Sequence, residues 1–150
     1  MGNILNDRAI KEYVSNGLLI EENFDEKFLT PNGYDLRVGE VMPDGEISNS
    51  SPFFASSLET IRMPDNVVAS MYIKSRYARR SVFSTFGFVD AGFHGNLTLS
   101  FINFGTSLIL KKGDPIVQII FSEIEPPEKN YSKRSGNFQN SHGINTGNNK

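Results

Sequence analysis

Short apolar runs of period two, cut apart by glycine and proline, limit what this chain can become. Leu97-Thr98-Leu99-Ser100-Phe101 alternates strictly, so Leu97, Leu99 and Phe101 share one face of a strand. Residues 67–73 read as a second strand, and Tyr34-Asp35-Leu36-Arg37-Val38 as a third that Gly39 ends. Residues 116–121 are nearly all apolar, as in a strand covered on both faces. Residues 43–52 carry turn and loop chemistry, and Pro126-Pro127 reads as the end of the compact part. The 13 Gly and 7 Pro supply turns, and 12 Phe without Trp favour strands. One helix is predicted over 6–17: Asn6 or Asp7 caps it, Ile10, Tyr13 and Val14 share a face, and Gly17 suits a left-handed end. The predicted core is Val67, Met71, Ile73, Val89, Leu97, Leu99, Phe101, Ile116, Ile119 and Phe121. An all-β sandwich or jelly roll with a short N-terminal helix fits these elements.

At 150 residues the chain suits one domain that buries roughly 70% of its unfolded surface, so it needs no staple. It has no Cys, which excludes disulfides and thiolate zinc sites, and two His do not make a His-rich metal site. Fifteen basic and 17 acidic residues leave a net charge of −2, which argues against bulk nucleic-acid binding. No apolar run nears the roughly 20 residues of a membrane span, and no signal peptide is visible. The Met1-Gly2 start resembles a myristoylation site, but Asn6 stands where Ser or Thr is required. The expectation is a soluble cytoplasmic protein with neither nucleic acid nor membrane as partner.

Four segments concentrate polar chemistry. Pro31-Asn32-Gly33-Tyr34-Asp35-Leu36-Arg37 sets an acid and a base on one side of a strand. Lys74-Ser75-Arg76-Tyr77-Ala78-Arg79-Arg80 offers four cations and a hydroxyl at a strand end, donors suited to a polyphosphate. Gly87-Phe88-Val89-Asp90-Ala91-Gly92-Phe93-His94-Gly95 sets one carboxylate among apolar residues, where it could orient or deprotonate a water. Its glycines allow close backbone approach to a ligand. Arg134-Ser135-Gly136-Asn137-Phe138-Gln139-Asn140-Ser141-His142-Gly143 carries an aromatic able to stack on a base and an Arg able to meet phosphate. Taken singly, these four also fit a surface ion pair, a solvated basic turn, a β-turn acid and plain disorder.

Their order resembles the dCTP deaminase and trimeric dUTPase superfamily over almost the whole chain. Ile4-Leu5-Asn6-Asp7-Arg8-Ala9-Ile10, Leu19-Ile20-Glu21 and Pro31 through Gly39 look like the start of a dCTP deaminase. Lys74-Ser75-Arg76-Tyr77-Ala78-Arg79 is similar to the phosphate-contacting segment, with Arg76 where Ser is usual. Residues 87–95 resemble the nucleoside segment with Asp90 as its carboxylate. Lys112-Gly113-Asp114-Pro115-Ile116-Val117-Gln118-Ile119-Ile120-Phe121 resembles another shared segment, and Phe138-Gln139 before Gly143 the closing tail. The resemblance implies a distorted jelly roll of the dUTPase or β-clip kind. It also implies a homotrimer with sites between subunits, and a body at 1–131 with a flexible tail at 132–150 closing over the site.

The two activities attack different atoms. A deaminase of this kind adds water to C4 of cytosine with a Glu ten residues after the aspartate matching Asp90. Here that position is Ser100, whose hydroxyl has no useful basicity at neutral pH. The next acid after Asp90 is Asp114, and zinc deamination needs cysteines that are absent. Phe86, where the resemblance expects a small residue, would narrow the space at C4. A dUTPase instead sends water to the α-phosphorus, with Mg²⁺ bound through the substrate phosphates. The resemblance then assigns Asp90 to the water and the 3′-hydroxyl, and Phe93 to packing under deoxyribose. It assigns Ser75, Arg76 or Arg79 to phosphates, Gln118 to phosphate or nearby backbone, Phe138 to stacking on uracil and Gln139 to the substrate. The expected activity is therefore dUTP diphosphatase, on deoxynucleoside triphosphate. The alternatives are a dCTP deaminase, alone or bifunctional, and a catalytically weak nucleotide-binding homologue.

Overall fold

Asn6 accepts a hydrogen bond from Ala9 N at 2.9 Å, which caps helix α1 (Asp7–Ser15). The computed structural model describes residues 3–134 and 136–147; the Met1-Gly2 start, Ser135 and residues 148–150 lie outside. Strands follow as β1 (Leu19–Glu22), β2 (Leu29–Thr30), β3 (Gly33–Met42), β4 (Glu46–Ile47), β5 (Ser51–Ser57), β6 (Thr60–Arg62) and β7 (Val67–Ile73). Then come the short helix α2 (Ser75–Ala78), β8 (Val82–Thr85), β9 (His94–Gly95), β10 (Thr98–Asn103), β11 (Leu108–Ile109) and β12 (Pro115–Glu123). Two 3₁₀ turns cover Glu26–Phe28 and Tyr131–Lys133.

The main sheet is antiparallel, in the order β7-β12-β3-β5-β10-β8, with β2 paired to β3. A small sheet β1-β6-β9 and the β11-β4 pair complete a mostly β fold of the distorted jelly-roll class. Of the predicted core, Met71 and Ile73 are partly buried and pack against it, while the other members are buried. Phe53 joins that core, stacked on Phe101 with ring centroids 4.8 Å apart.

Three sequence expectations change. Gly39 does not end β3. The strand's first half pairs with β12, its second half with β5, and the register shifts between Val38 and Val41. Gly39 sits at that bend because a Cβ there would lie 2.8 Å from Ser56 Oγ and 3.1 Å from the Ser57 carbonyl. Residues 43–52 are not all loop, since β4 buries Ile47 and β5 opens at Ser51. Pro126-Pro127 does not end the packed part either. Beyond it Tyr131 packs on the core, and residues 139–145 bond to the body. Among the described residues no helix is long and apolar enough to cross a membrane.

Candidate functional site

The turn that carries Asp90 is clamped on both flanks. Val89 exchanges two 2.9 Å backbone bonds with Ala69 of β7, and the Ala91 carbonyl accepts from Tyr131 N at 2.9 Å. The Asp90 carbonyl accepts from Phe93 N at 3.2 Å, closing the turn. Gly92 adopts φ +87°, and a Cβ there would strike the Asn130 side chain at 2.5 Å. Asp90 is thus exposed on a stem whose neighbours, Val89 and Ala91, are buried.

Beside it opens a cleft of about 440 Å³. Its walls include Phe93, Leu97 and Tyr131 from the body and Asn137 and Phe138 from the tail. Tyr131 meets Phe93 edge-on at 5.6 Å, and its hydroxyl accepts from Phe138 N at 2.7 Å. Among the described residues Asp90 is the one acid lining the cleft, and no Lys or Arg lines it. Ser100 lines it too, with Oγ donating to the Thr85 carbonyl at 2.6 Å and lying 2.9 Å from Thr85 Oγ1. Phe86 does not narrow the cleft as expected. Its ring turns inward and packs edge-on against Phe101 at 5.5 Å.

The tail is seated along β9 and β10. Asn140 N donates to the His94 carbonyl at 2.6 Å, and Asn96 N to the Ser141 carbonyl at 2.9 Å. Gly95 forms a parallel bridge with Ser141. A Cβ on Gly95 would lie 2.7 Å from Ser141 N, so the close approach this glycine permits is to the chain's own tail. Farther on, Ile144 N donates to Glu40 Oε2 at 3.3 Å and Asn145 N to Thr98 Oγ1 at 2.8 Å. Gln139 does not line the cleft; both ends of its amide bind backbone, Oε1 to His94 N at 3.0 Å and Nε2 to the Gly92 carbonyl at 2.9 Å.

Ser75, Arg76, Arg79 and Gln118 lie elsewhere. None of them lines the cleft. Ser75, Arg76 and Arg79 are exposed on and just after α2, with the Arg76 guanidinium 5.3 Å from the Tyr77 ring centroid. Gln118 Nε2 donates to Thr30 Oγ1 at 2.8 Å. Asp35 and Arg37 do not pair with each other. Asp35 takes the Lys74 ammonium through Oδ2, and its Oδ1 is buried without a partner. Arg37 Nε donates to the fully buried Glu59 at 2.8 Å, and Tyr34 donates to the same carboxylate at 3.0 Å.

Outside the lining of the cleft, His94 Nε2 lies 2.5 Å from Glu21 Oε2, and Arg62 donates to Oε1 at 2.9 Å. The His94 bond, with Arg62 adding, holds the Glu21 carboxyl below its usual value against the opposing effect of burial. Among the described residues no three His, Cys, Asp or Glu side chains gather as metal ligands.

A sequence profile described as dCTP deaminase-like matches residues 47–124. A dCTP deaminase of Thermococcus sibiricus is 36% identical over 140 residues, covering 85% of this chain and 86% of the relative. The chain belongs to the dCTP deaminase-like family. Another family relative spans more of it: a probable deoxyuridine 5′-triphosphate nucleotidohydrolase of Sulfolobus islandicus rod-shaped virus 1, 28% identical over 94% of this chain and 96% of its own. In structure the chain resembles the 2′-deoxycytidine 5′-triphosphate deaminase of Agrobacterium tumefaciens, with a TM-score of 0.70 at 21% identity. That match covers 81% of this chain and about half, 49%, of the deaminase. The dUTPase of Staphylococcus aureus phage phi11, solved with a structural Mg(II) ion, matches at a TM-score of 0.56 and 18% identity, over 74% of this chain and 86% of its own.

Tyr131, Asn96 and Glu59 had not been singled out in the sequence. Tyr131 stands just before the tail motif, four residues after a Pro-Pro pair, and an aromatic there is the available signal. Glu59 gave none, because a lone acid between Leu58 and Thr60 reads as surface.

Proposed function

We propose that the protein is a dUTP diphosphatase, hydrolysing dUTP to dUMP and pyrophosphate. One observation carries the reading: Asp90 is the acid of the cleft, while Ser100 fills the position of the deaminase base with a hydroxyl bound to Thr85. The near full-length viral relative named a nucleotidohydrolase supports it. In this reading Phe138 stacks on uracil and Phe93 packs under the deoxyribose. Asp90 bonds the 3′-hydroxyl and takes a proton from a water aligned on the α-phosphorus. The water oxygen bonds to that phosphorus, the bridge to the β-phosphate breaks, and pyrophosphate leaves.

The donor set suits a Mg²⁺ held by the substrate. One carboxylate and a few amides are too few for an ion bound by protein alone, whereas phosphate oxygens supply the remaining hard ligands. When bound, such an ion offsets phosphate charge. Ser75, Arg76, Arg79 and Gln118 would meet the phosphates from a neighbouring copy, because they lie outside the cleft of their own chain. That arrangement is the homotrimer implied by the sequence resemblance.

The deaminase name of the Thermococcus relative favours a second reading, deamination of dCTP. Incubation with dUTP and with dCTP in the presence of Mg²⁺ separates the readings. Pyrophosphate from dUTP, with no ammonia from dCTP, is expected. Ammonia from dCTP would overturn the choice, and tight binding with no product would make the protein a nucleotide binder.

A further inference from the structure

The two backbone groups that flank Phe93 are both held by one side chain. His94 N, on one side, donates to Gln139 Oε1 at 3.0 Å, and the Gly92 carbonyl, on the other, accepts from Gln139 Nε2 at 2.9 Å. Those partners fix the amide's orientation, since a carbonyl needs a donor and an N–H an acceptor. The amide therefore acts as a unit of strand backbone. It continues the pairing that Asn140 N to the His94 carbonyl and Asn96 N to the Ser141 carbonyl make beside it. Gly92 is left-handed, and its neighbour Phe93 is buried, with Tyr131 against the ring edge. Without Gln139, the carbonyl before Phe93 and the N–H after it lose these partners together.

We infer that Gln139 is a positioning residue: its amide clamps the turn on both sides of Phe93, so seating the tail sets the sugar-facing wall of the cleft. The sequence reading gave Gln139 to the substrate, but the residue stands behind the wall and acts through Phe93. Tail closure and the shape of the turn are then one event. With the tail away, the turn lacks this clamp, and Phe93 is held by its own backbone bonds alone, its N–H to the Asp90 carbonyl and its carbonyl to Met63 N. The discrimination between deoxyribose and ribose that depends on Phe93 weakens with it. This inference rests on the proposed nucleotide reading for its second consequence, though not for its first.

The test compares wild type with Q139A and Q139N, whose side chains are absent or too short to span both groups. In both variants amide exchange at His94 should rise by about tenfold or more, while exchange at Val89, bonded to Ala69, stays unchanged. The ratio of kcat/KM for dUTP over UTP should fall about tenfold, with little change in melting temperature. Faster His94 exchange with an unchanged ratio would make Gln139 a tail anchor only and overturn the inference. A lower ratio with unchanged exchange would mean direct substrate contact and overturn it equally. If wild type turns over neither nucleotide, the proposed activity fails by itself. Calorimetric affinities for dUMP and UMP then supply the ratio.

Discussion

Asp90 is set by its neighbours' backbone, with Val89 bonded both ways to Ala69 and the Ala91 carbonyl taking Tyr131 N. A substitution at the carboxylate therefore changes chemistry with little change in shape. Asp90→Asn is expected to lower kcat by about 10²–10⁴-fold, the usual contribution of a positioned base, while leaving affinity for a non-hydrolysable dUTP analogue near wild type. Parallel steady-state kinetics and calorimetry check this, and near-normal turnover would remove Asp90 from its role. Phe138 tests the other end of the cleft. Its replacement by Ala should weaken nucleotide binding by ~1–3 kcal/mol, the range for a lost base–aromatic stack, with kcat less affected. Asp90, Phe93 and Phe138, which line the cleft, stand out in sequence as an acid among glycines, an aromatic close after it and an aromatic in a polar tail. Gln139 also stands out in sequence, yet no sequence pattern reveals that its amide spans the backbone on either side of a distant Phe.

Between elements, the strongest polar junction ties β3 to the turn between β5 and β6. Glu59 is fully buried and accepts from Tyr34 Oη, Arg37 N and Arg37 Nε, while the Arg37 side chain is only 14% exposed. Removing the charge of one partner in so buried a pair leaves the other uncompensated. Glu59→Gln should cost about 3 kcal/mol of unfolding free energy in urea titrations, whereas a change below ~1 kcal/mol would show the pair to be well solvated. Burial, then the Glu59 charge, pushes the Tyr34 phenol far above its ordinary 10.0, and burial raises Tyr77 as well. The folded state therefore holds these protons more tightly than the unfolded chain. The resulting stability is complete below pH 10 and is lost as pH climbs past it toward the raised values. Each tyrosine contributes a slope of up to about 1.4 kcal/mol per pH unit in that window. Urea midpoints between pH 9 and 11 should fall, and Tyr34→Phe should flatten the fall; constant midpoints would contradict the shift. The strands themselves followed from alternation and apolar runs, as at 67–73 and 97–101. What alternation could not show was β3 running through Gly39, because a glycine that ends a strand and one that lets it bend between partners look alike in sequence.

For the whole molecule, two features ask for a second copy of the chain. The phosphate-suited side chains of Ser75, Arg76 and Arg79 stand outside a cleft that no Lys or Arg among the described residues lines, while Lys129 and Arg134 line a smaller hollow that shares Asp90 with it. The outer face of β5, β10 and β8 also carries Phe83, Ile102 and Phe104 exposed together; Ile102 pairs across to Phe83 on one side and to Pro52 on the other, and the Phe83 and Phe104 rings meet edge-on at 5.4 Å. A contiguous apolar sheet face is a surface that association covers. If neighbouring copies cover it and bring their cations to the cleft, a charge at its centre should separate assembly and turnover from folding. Ile102→Lys points outward from β10, so β10 can keep its pairing and Leu99 and Phe101 their burial. The variant is expected to sediment near the 16.8 kDa of one chain where wild type sediments near three times that mass. Its circular dichroism should be native and its dUTP turnover reduced by orders of magnitude, because the phosphates then lose the cationic donors of the neighbouring copy. A monomeric variant with wild-type kinetics would sink the shared site, since each chain would then have to hold the polyphosphate with its own residues.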